Sequence, residues 1–124
     1  MDSNHNTMKH DESNNQIAFV RIFRAEHPEL RSVLFAVPNG GARNRKTGAI
    51  LKAEGVVAGV ADILLLVARG GFHGLAIEFK TAEGRQSPTQ KEWQQEIEKQ
   101  GYRYALVRSA DEALDVAEEY LHNE

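Results

Sequence analysis

"DILLLVARGGFHGLAIEFK", Asp62 to Lys80, is the stretch on which the reading of this chain turns. Two apolar runs flank a pair of consecutive glycines. Short apolar runs bounded by turn residues read as strands, and glycines between them as the turn of a hairpin. The second run closes with Glu78 and Lys80, and residues two apart in a strand share a face. A charged pair is therefore expected on a segment whose neighbours favour burial.

The register of this hairpin decides what faces Glu78. A two-residue Gly-Gly turn pairs Asp62 with Phe79 and sends Asp62 to the face opposite Glu78. A three-residue loop, Arg69-Gly70-Gly71, pairs Asp62 with Glu78 instead, and three-residue loops with a left-handed glycine are common. The second register also gathers Ile63, Leu65, Val67, Leu75, Ile77 and Phe79 on one face, and it is the one expected. Asp62, Leu64, Leu66, Ala76, Glu78 and Lys80 then share the other.

Directly opposed residues have Cβ atoms about 4.5–5.5 Å apart. Two ionised carboxylates repel by about 4 kcal/mol at 4 Å and an effective dielectric of 20. A hard divalent cation such as Mg²⁺ or Mn²⁺ converts that repulsion into binding, because such ions favour oxygen ligands. Lys80 beside them is placed to hold a reacting oxygen or an attacking water. For a Glu-x-Lys alone, an ordinary ion pair at a strand end is the simpler reading. Asp62 at a strand start, joined by a short hairpin, brings the two readings level.

The rest of the chain frames this hairpin. Its 124 residues, 41% hydrophobic and 27% charged, suffice for one domain with a real core. There is no cysteine, so disulfides and thiolate metal sites are excluded. The opening "MDSNHNTMKHDESNN" has no apolar core of a signal peptide, and no apolar run reaches the ~18 residues of a membrane span. Residues 1–10 are expected to form a flexible tail and residues 11–124 a single domain, in the cytoplasm and without membrane contact.

Net charge is −3, but the charge is segregated. Residues 30–52 carry five basic groups (Arg31, Arg43, Arg45, Lys46, Lys52) and no acid, whereas 109–124 carry six acids and no Lys or Arg. This suits a positive surface offered to an anionic ligand. A solvated loop and an exposed acidic helix account for it equally well.

Around the hairpin the pattern alternates helix and strand. A first helix is expected from about Asp11 to Glu26, stopped by Pro28, with Gln16, Phe19, Val20 and Phe23 on one face and Glu12 a turn earlier. "SVLFAV" (32–37) reads as a strand, "PNGGARNRKTG" as a basic glycine-rich loop, and "AILKAEG" as a short helix. Strands are expected over 62–68 and 72–80. A helix follows with Ser87 as N-cap, Pro88 at its first position and Gly101 past its end. "YRYALV" (102–107) is a strand, and a final acidic helix opens with a Ser109–Glu112 capping box. The order defines an α/β domain with a mixed sheet covered by helices.

"AD" at 61–62 and "EFK" at 78–80 resemble the metal-dependent PD-(D/E)xK nuclease core, a restriction-endonuclease-like fold with the active site on a β-hairpin. "PNGGARN" (38–44), "GVVAGVADILLL" (55–66), "IEFK" (77–80) and "GRQSPTQKEW" (84–93) narrow the resemblance to the VRR-NUC family, from about Glu12 to Ser109. The resemblance implies Asp62 and Glu78 as metal ligands, with the Ile77 carbonyl as a further one. It implies Lys80 as the catalytic lysine, Gln90 as support for the metal site or its water, and Glu12 as the acid completing the site. It implies Mg²⁺ or Mn²⁺ as cofactor and phosphodiester hydrolysis in DNA. Stand-alone relatives resemble dimeric, junction-selective nucleases, which implies a homodimer acting on branched DNA. Ala61 replaces the proline usual before the aspartate; proline ligates nothing, so the chemistry is little affected.

Arg43, Arg45 and Lys46 are candidates for holding backbone phosphates, and Arg85 for either DNA contact or an ordinary loop charge. Gln90 also sits at the third helical position, where it closes a capping box with Ser87, and Glu12 also complements a helix dipole. Trp93 and Ile97, four apart, fit core contacts. "GARNRKT" fails as a phosphate loop because Arg45 stands where the second glycine belongs, so no nucleotide cofactor is expected. The five histidines have no metal-ligand spacing. The competing readings are an inactive nucleic-acid-binding module on the same fold and a sequence-specific endonuclease, for whose base-reading elements the chain has little room.

Overall fold

The computed structural model describes residues 3–38 and 47–124. Helix α1 (Ser3–Glu26) leads through a 3₁₀ turn (Pro28–Leu30) to strand β1 (Leu34–Ala36). Helix α2 (Gly48–Ala53), strands β2 (Ile63–Leu65) and β3 (Leu75–Phe79), helix α3 (Pro88–Lys99), strand β4 (Arg103–Val107) and helix α4 (Ala110–His122) complete the chain. The sheet runs β1-β2-β3-β4, antiparallel at the first two junctions and parallel at β3–β4. The parallel pair needs a crossover, and α3 supplies it.

One face of the sheet carries the core. Leu34, Ile63, Leu65, Leu75, Ile77, Phe79 and Val107 meet Phe19 and Phe23 of α1 and Ala113, Ala117 and Tyr120 of α4. Each large apolar side chain buried there contributes about 1.5–3 kcal/mol. Tyr120 satisfies its hydroxyl by donating to Val67 O at 2.5 Å, fixing the end of α4 to the hairpin. The opposite face is covered by α3, whose Trp93 and Ile97 close an apolar groove with Leu64, Leu66 and Tyr102. Leu66 stays 50% and Phe35 36% exposed on that face.

The hairpin register is the expected one: Ile63 pairs with Ile77, Leu64 with Ala76 and Leu65 with Leu75. The tip is not. Arg69 and Phe72 bridge across a two-residue Gly70-Gly71 turn, both glycines at positive φ (58° and 86°). Residues 66–68 on one side therefore face only His73 and Gly74 on the other, and this one-residue bulge restores the register that a tight turn alone would have shifted. The bulge also explains why β2 and β3 are shorter than the apolar runs. Helix α1 starts at Ser3, well before Asp11: the preceding residues have no apolar periodicity, but they contain no proline or glycine to stop the backbone ladder.

Candidate active site

Asp62 is held by its backbone from both sides. Its N–H donates to Ile77 O at 3.1 Å, and its carbonyl accepts from Val37 N–H at 2.8 Å. The site residue is thus stitched into the sheet just before β2 begins, between β1 and β3. Continuing the β2–β3 register sets it opposite Glu78, and its Oδ2 accepts from the Phe79 N–H at 2.7 Å.

Glu78 is the buried charged residue of the described core, 3% exposed. Its Oε2 accepts from Gln90 Nε2 at 3.0 Å and lies 3.6 Å from Lys80 Nζ. Its Oε1 is buried, and no N–H or O–H donor of the described residues reaches it. Burial, followed by the Asp62 charge, pushes the Glu78 carboxyl up to about 8, with Lys80 pulling it down. A buried acceptor without a donor costs free energy, and such groups need an explanation in an ion or a function.

Gln90 plays both parts that the sequence left open. Its Oε1 accepts from the Ser87 N–H at 2.8 Å and its own N–H donates to Ser87 Oγ at 3.2 Å, forming the capping box. Its Nε2 remains for Glu78. Glu12 arrives from α1, its Oε2 accepting from the Thr81 N–H at 3.3 Å. Glu12, Asp62, Glu78, Lys80 and Gln90 all line one open cavity of about 500 Å³, with Lys52 and Val57 on its rim.

Three positioning features escaped the sequence. Gly59, at φ +86°, lies against the start of α3 so closely that a Cβ would sit 2.5 Å from Thr89 O. Arg108 Nη1 donates to Thr81 O (2.5 Å), Gly84 O (2.8 Å) and Ala82 O (3.3 Å), clasping the loop that follows Lys80. Gln86 bridges Gln94 Oε1 and Tyr104 Oη under α3, where burial raises the Tyr104 phenol to about 12.

Other expectations fall elsewhere. Ile77 faces the core, and its carbonyl keeps one lone pair beyond the bond from Asp62. Arg85 borders a separate cavity with Glu83 and Arg108. Arg43, Arg45 and Lys46 lie outside the described residues. Ser109 Oγ caps α4 as expected, accepting from Glu112 N–H at 3.0 Å, but the Glu112 carboxylate takes the Arg108 N–H rather than that of Ser109. Among the described residues, no helix is long and apolar enough to cross a membrane.

Two carboxylates facing across adjacent strands, a lysine two residues on, and helices on both sides of a mixed sheet define the restriction-endonuclease-like, PD-(D/E)xK class of fold. Comparison with known proteins refines this. The VRR-NUC domain model matches residues 6–111. A solved structure described as a VRR_NUC domain protein is 26% identical, covers 89% of this chain and 87% of its own, and superposes with a TM-score of 0.77. No curated protein matches. The chain belongs to the VRR-NUC family and has its nuclease-type fold.

Proposed function

We propose that the protein is a divalent-metal-dependent endonuclease that hydrolyses phosphodiester bonds in DNA. The observation that carries this reading is the buried Glu78 carboxyl facing Asp62, with one oxygen that no N–H or O–H donor of the described residues reaches and its proton held up to about 8. The donor set is all oxygen, as Mg²⁺ and Mn²⁺ prefer: Asp62, Glu78 and the remaining lone pair of the Ile77 carbonyl would hold the ion. Such an ion supplies positive charge against the charge that develops on the phosphate.

The chain's own residues supply the rest. Lys80 is rooted by its N–H to Val107 O at 2.9 Å, and its ammonium faces the cavity beside Glu78. From there it holds a non-bridging phosphate oxygen or orients the attacking water. Gln90 fixes the rotamer of Glu78 from a capped helix end, and Glu12 brings a further carboxylate to the rim.

Selection by DNA shape, with four-way junctions and other branched DNA as preferred substrates, suits an open cavity on a small domain. A two-fold homodimer would present two equivalent sites to such a junction. The uncovered apolar residues Phe35 and Leu66 offer surface for the contact. Cytoplasmic location belongs to the same reading.

The test is incubation with end-labelled single-stranded, duplex, flap, splayed-arm and four-way-junction DNA in Mn²⁺, Mg²⁺ or EDTA, with Lys80→Ala alongside. Metal-dependent cutting lost in the variant supports the nuclease, and the best-cut substrate identifies its selectivity. Binding without cutting in either metal would favour the inactive binding module instead.

A further inference from the structure

We propose that a groove along the outer side of α1, lined by Arg21, Arg24 and Arg31, is a second phosphate-binding surface that holds nucleic-acid backbone away from the bond being cut. The inference deepens the nuclease reading and rests on it. The groove has a volume of about 460 Å³; Gln16, Ile17 and Val20 complete its lining, and among the described residues no acidic one lines it. Arg21 and Arg31 are exposed, and among the described residues neither has an ion-pair partner. Arg24 is half-buried, with Nη2 reaching Leu34 O at 3.5 Å and a buried Nε that has no partner. Three arginines lining one groove with no carboxylate among the lining residues suit an anion with several acceptor oxygens.

Position selects the anion. Glu12 in the candidate active site and Arg24 in the groove stand on the same helix, Arg24 about a third of a turn around α1 from Glu12. Twelve residues of helix span about 18 Å at 1.5 Å per residue. That distance corresponds to about five nucleotide steps of 3.4 Å along one strand. A strand whose scissile phosphate lies at Lys80 and which follows α1 while passing about a third of the way around it brings later phosphates to the arginines. An acidic protein segment would satisfy the charge but has no reason to lie within one strand's reach of the active site.

The experiment measures binding of a fluorescently labelled DNA duplex and four-way junction in EDTA, where no cutting occurs, between about 50 and 200 mM salt. Wild type is compared with the double variant Arg21→Gln/Arg31→Gln, which leaves the half-buried Arg24 in place, and with Lys99→Gln, an exposed residue paired with Glu96 on α3. Each lost phosphate contact lowers the slope of log K against log salt by about 0.9, so the double variant should lose about 1.8 and Lys99→Gln nothing. In Mn²⁺ the double variant should raise KM for DNA without changing kcat. Hydrolysis of bis-para-nitrophenyl phosphate, too short to reach the groove, should be unchanged, and thermal melting should match wild type.

DNA binding and cutting by wild type with an unaltered slope and KM in the double variant would overturn the inference and leave the nuclease standing. The groove would then belong to another partner. Failure of wild type to bind either DNA would overturn both.

Discussion

Glu78 and Gln90 are joined by a 3.0 Å hydrogen bond, and the glutamine that makes it is the same residue that closes the N-terminal capping box of α3. Helix start and site geometry therefore depend on one side chain. Gln90→Ala should cost about 0.3–1.5 kcal/mol of stability through the cap. It should also lower activity about 10- to 100-fold, the usual effect of losing a group that orients a metal ligand. Gln90→Glu keeps the box, since glutamate also serves at that position, but sets a third carboxylate against Glu78. Urea midpoints and cleavage rates measured together separate the two roles. A stability loss in Gln90→Ala with unchanged cleavage would reduce Gln90 to a cap.

Gly59 ties the segment leading to Asp62 to the first turn of α3. Gly59→Ala meets both an unfavourable φ, costing about 1–2 kcal/mol, and the Thr89 carbonyl. Gly71 has the same φ of +86° with nothing within 4 Å of its would-be Cβ, so Gly71→Ala meets the backbone term alone. Denaturation should rank Gly59→Ala as the less stable of the two, and its cleavage rate should fall as Gln90 is displaced from Glu78. Equal destabilisation would mean that the Thr89 contact yields freely.

Arg108 clasps the carbonyls of Thr81, Ala82 and Gly84, while the Thr81 N–H holds Glu12. Arg108→Lys keeps the charge but loses the planar fork. Amide exchange in residues 81–86 should quicken, and cleavage should drop several-fold with little change in melting temperature. Exchange indistinguishable from wild type would show the loop to be held by other contacts.

The metal-free protein should lose stability as pH rises. Glu78, raised to about 8 in the fold from an ordinary 4.5, binds its proton more tightly folded than unfolded. Its contribution is whole below pH 4.5 and is lost progressively up to about pH 8. His27 is also raised, mainly by its 2.5 Å hydrogen bond to Glu118, so its contribution is present below pH 6.5 and is lost as pH climbs through the folded value. Glu78→Gln should flatten the decline between pH 4.5 and about 8, and His27→Gln the part that begins above pH 6.5, read from urea midpoints in EDTA. A stability that climbs from pH 5 to 8 in wild type would contradict both assignments.

The sequence shows its fold and its site unevenly, for physical reasons. The register placing Asp62 opposite Glu78 was legible because a slip of one residue would set Glu78 and Lys80 on the face of Ile63 and Leu65. The tip was not, because a tight turn with a bulge and a three-residue loop give the same pairing further along. Ser87, Pro88 and Gly101 marked α3 because capping is local chemistry, whereas Gln90's second bond depends on how α3 lands on the sheet. The contacts of Gly59 and Arg108 join segments far apart in sequence and leave no local pattern. The arginines of α1 are spread through an otherwise ordinary amphipathic helix, and only the folded groove brings Arg31 to them.

A cation site at Asp62 and Glu78 is tested by calorimetric titration of Mn²⁺ into the protein at pH 7 in two buffers of different ionisation enthalpy. A cation at Asp62 and Glu78 must displace the proton that Glu78 holds at that pH, so binding should release close to one proton in wild type. Release should vanish in Glu78→Gln, and Mn²⁺ should raise the melting temperature of wild type but not of Asp62→Asn. Binding with no proton release, or an equal thermal shift in Asp62→Asn, would place the ion elsewhere and contradict the account.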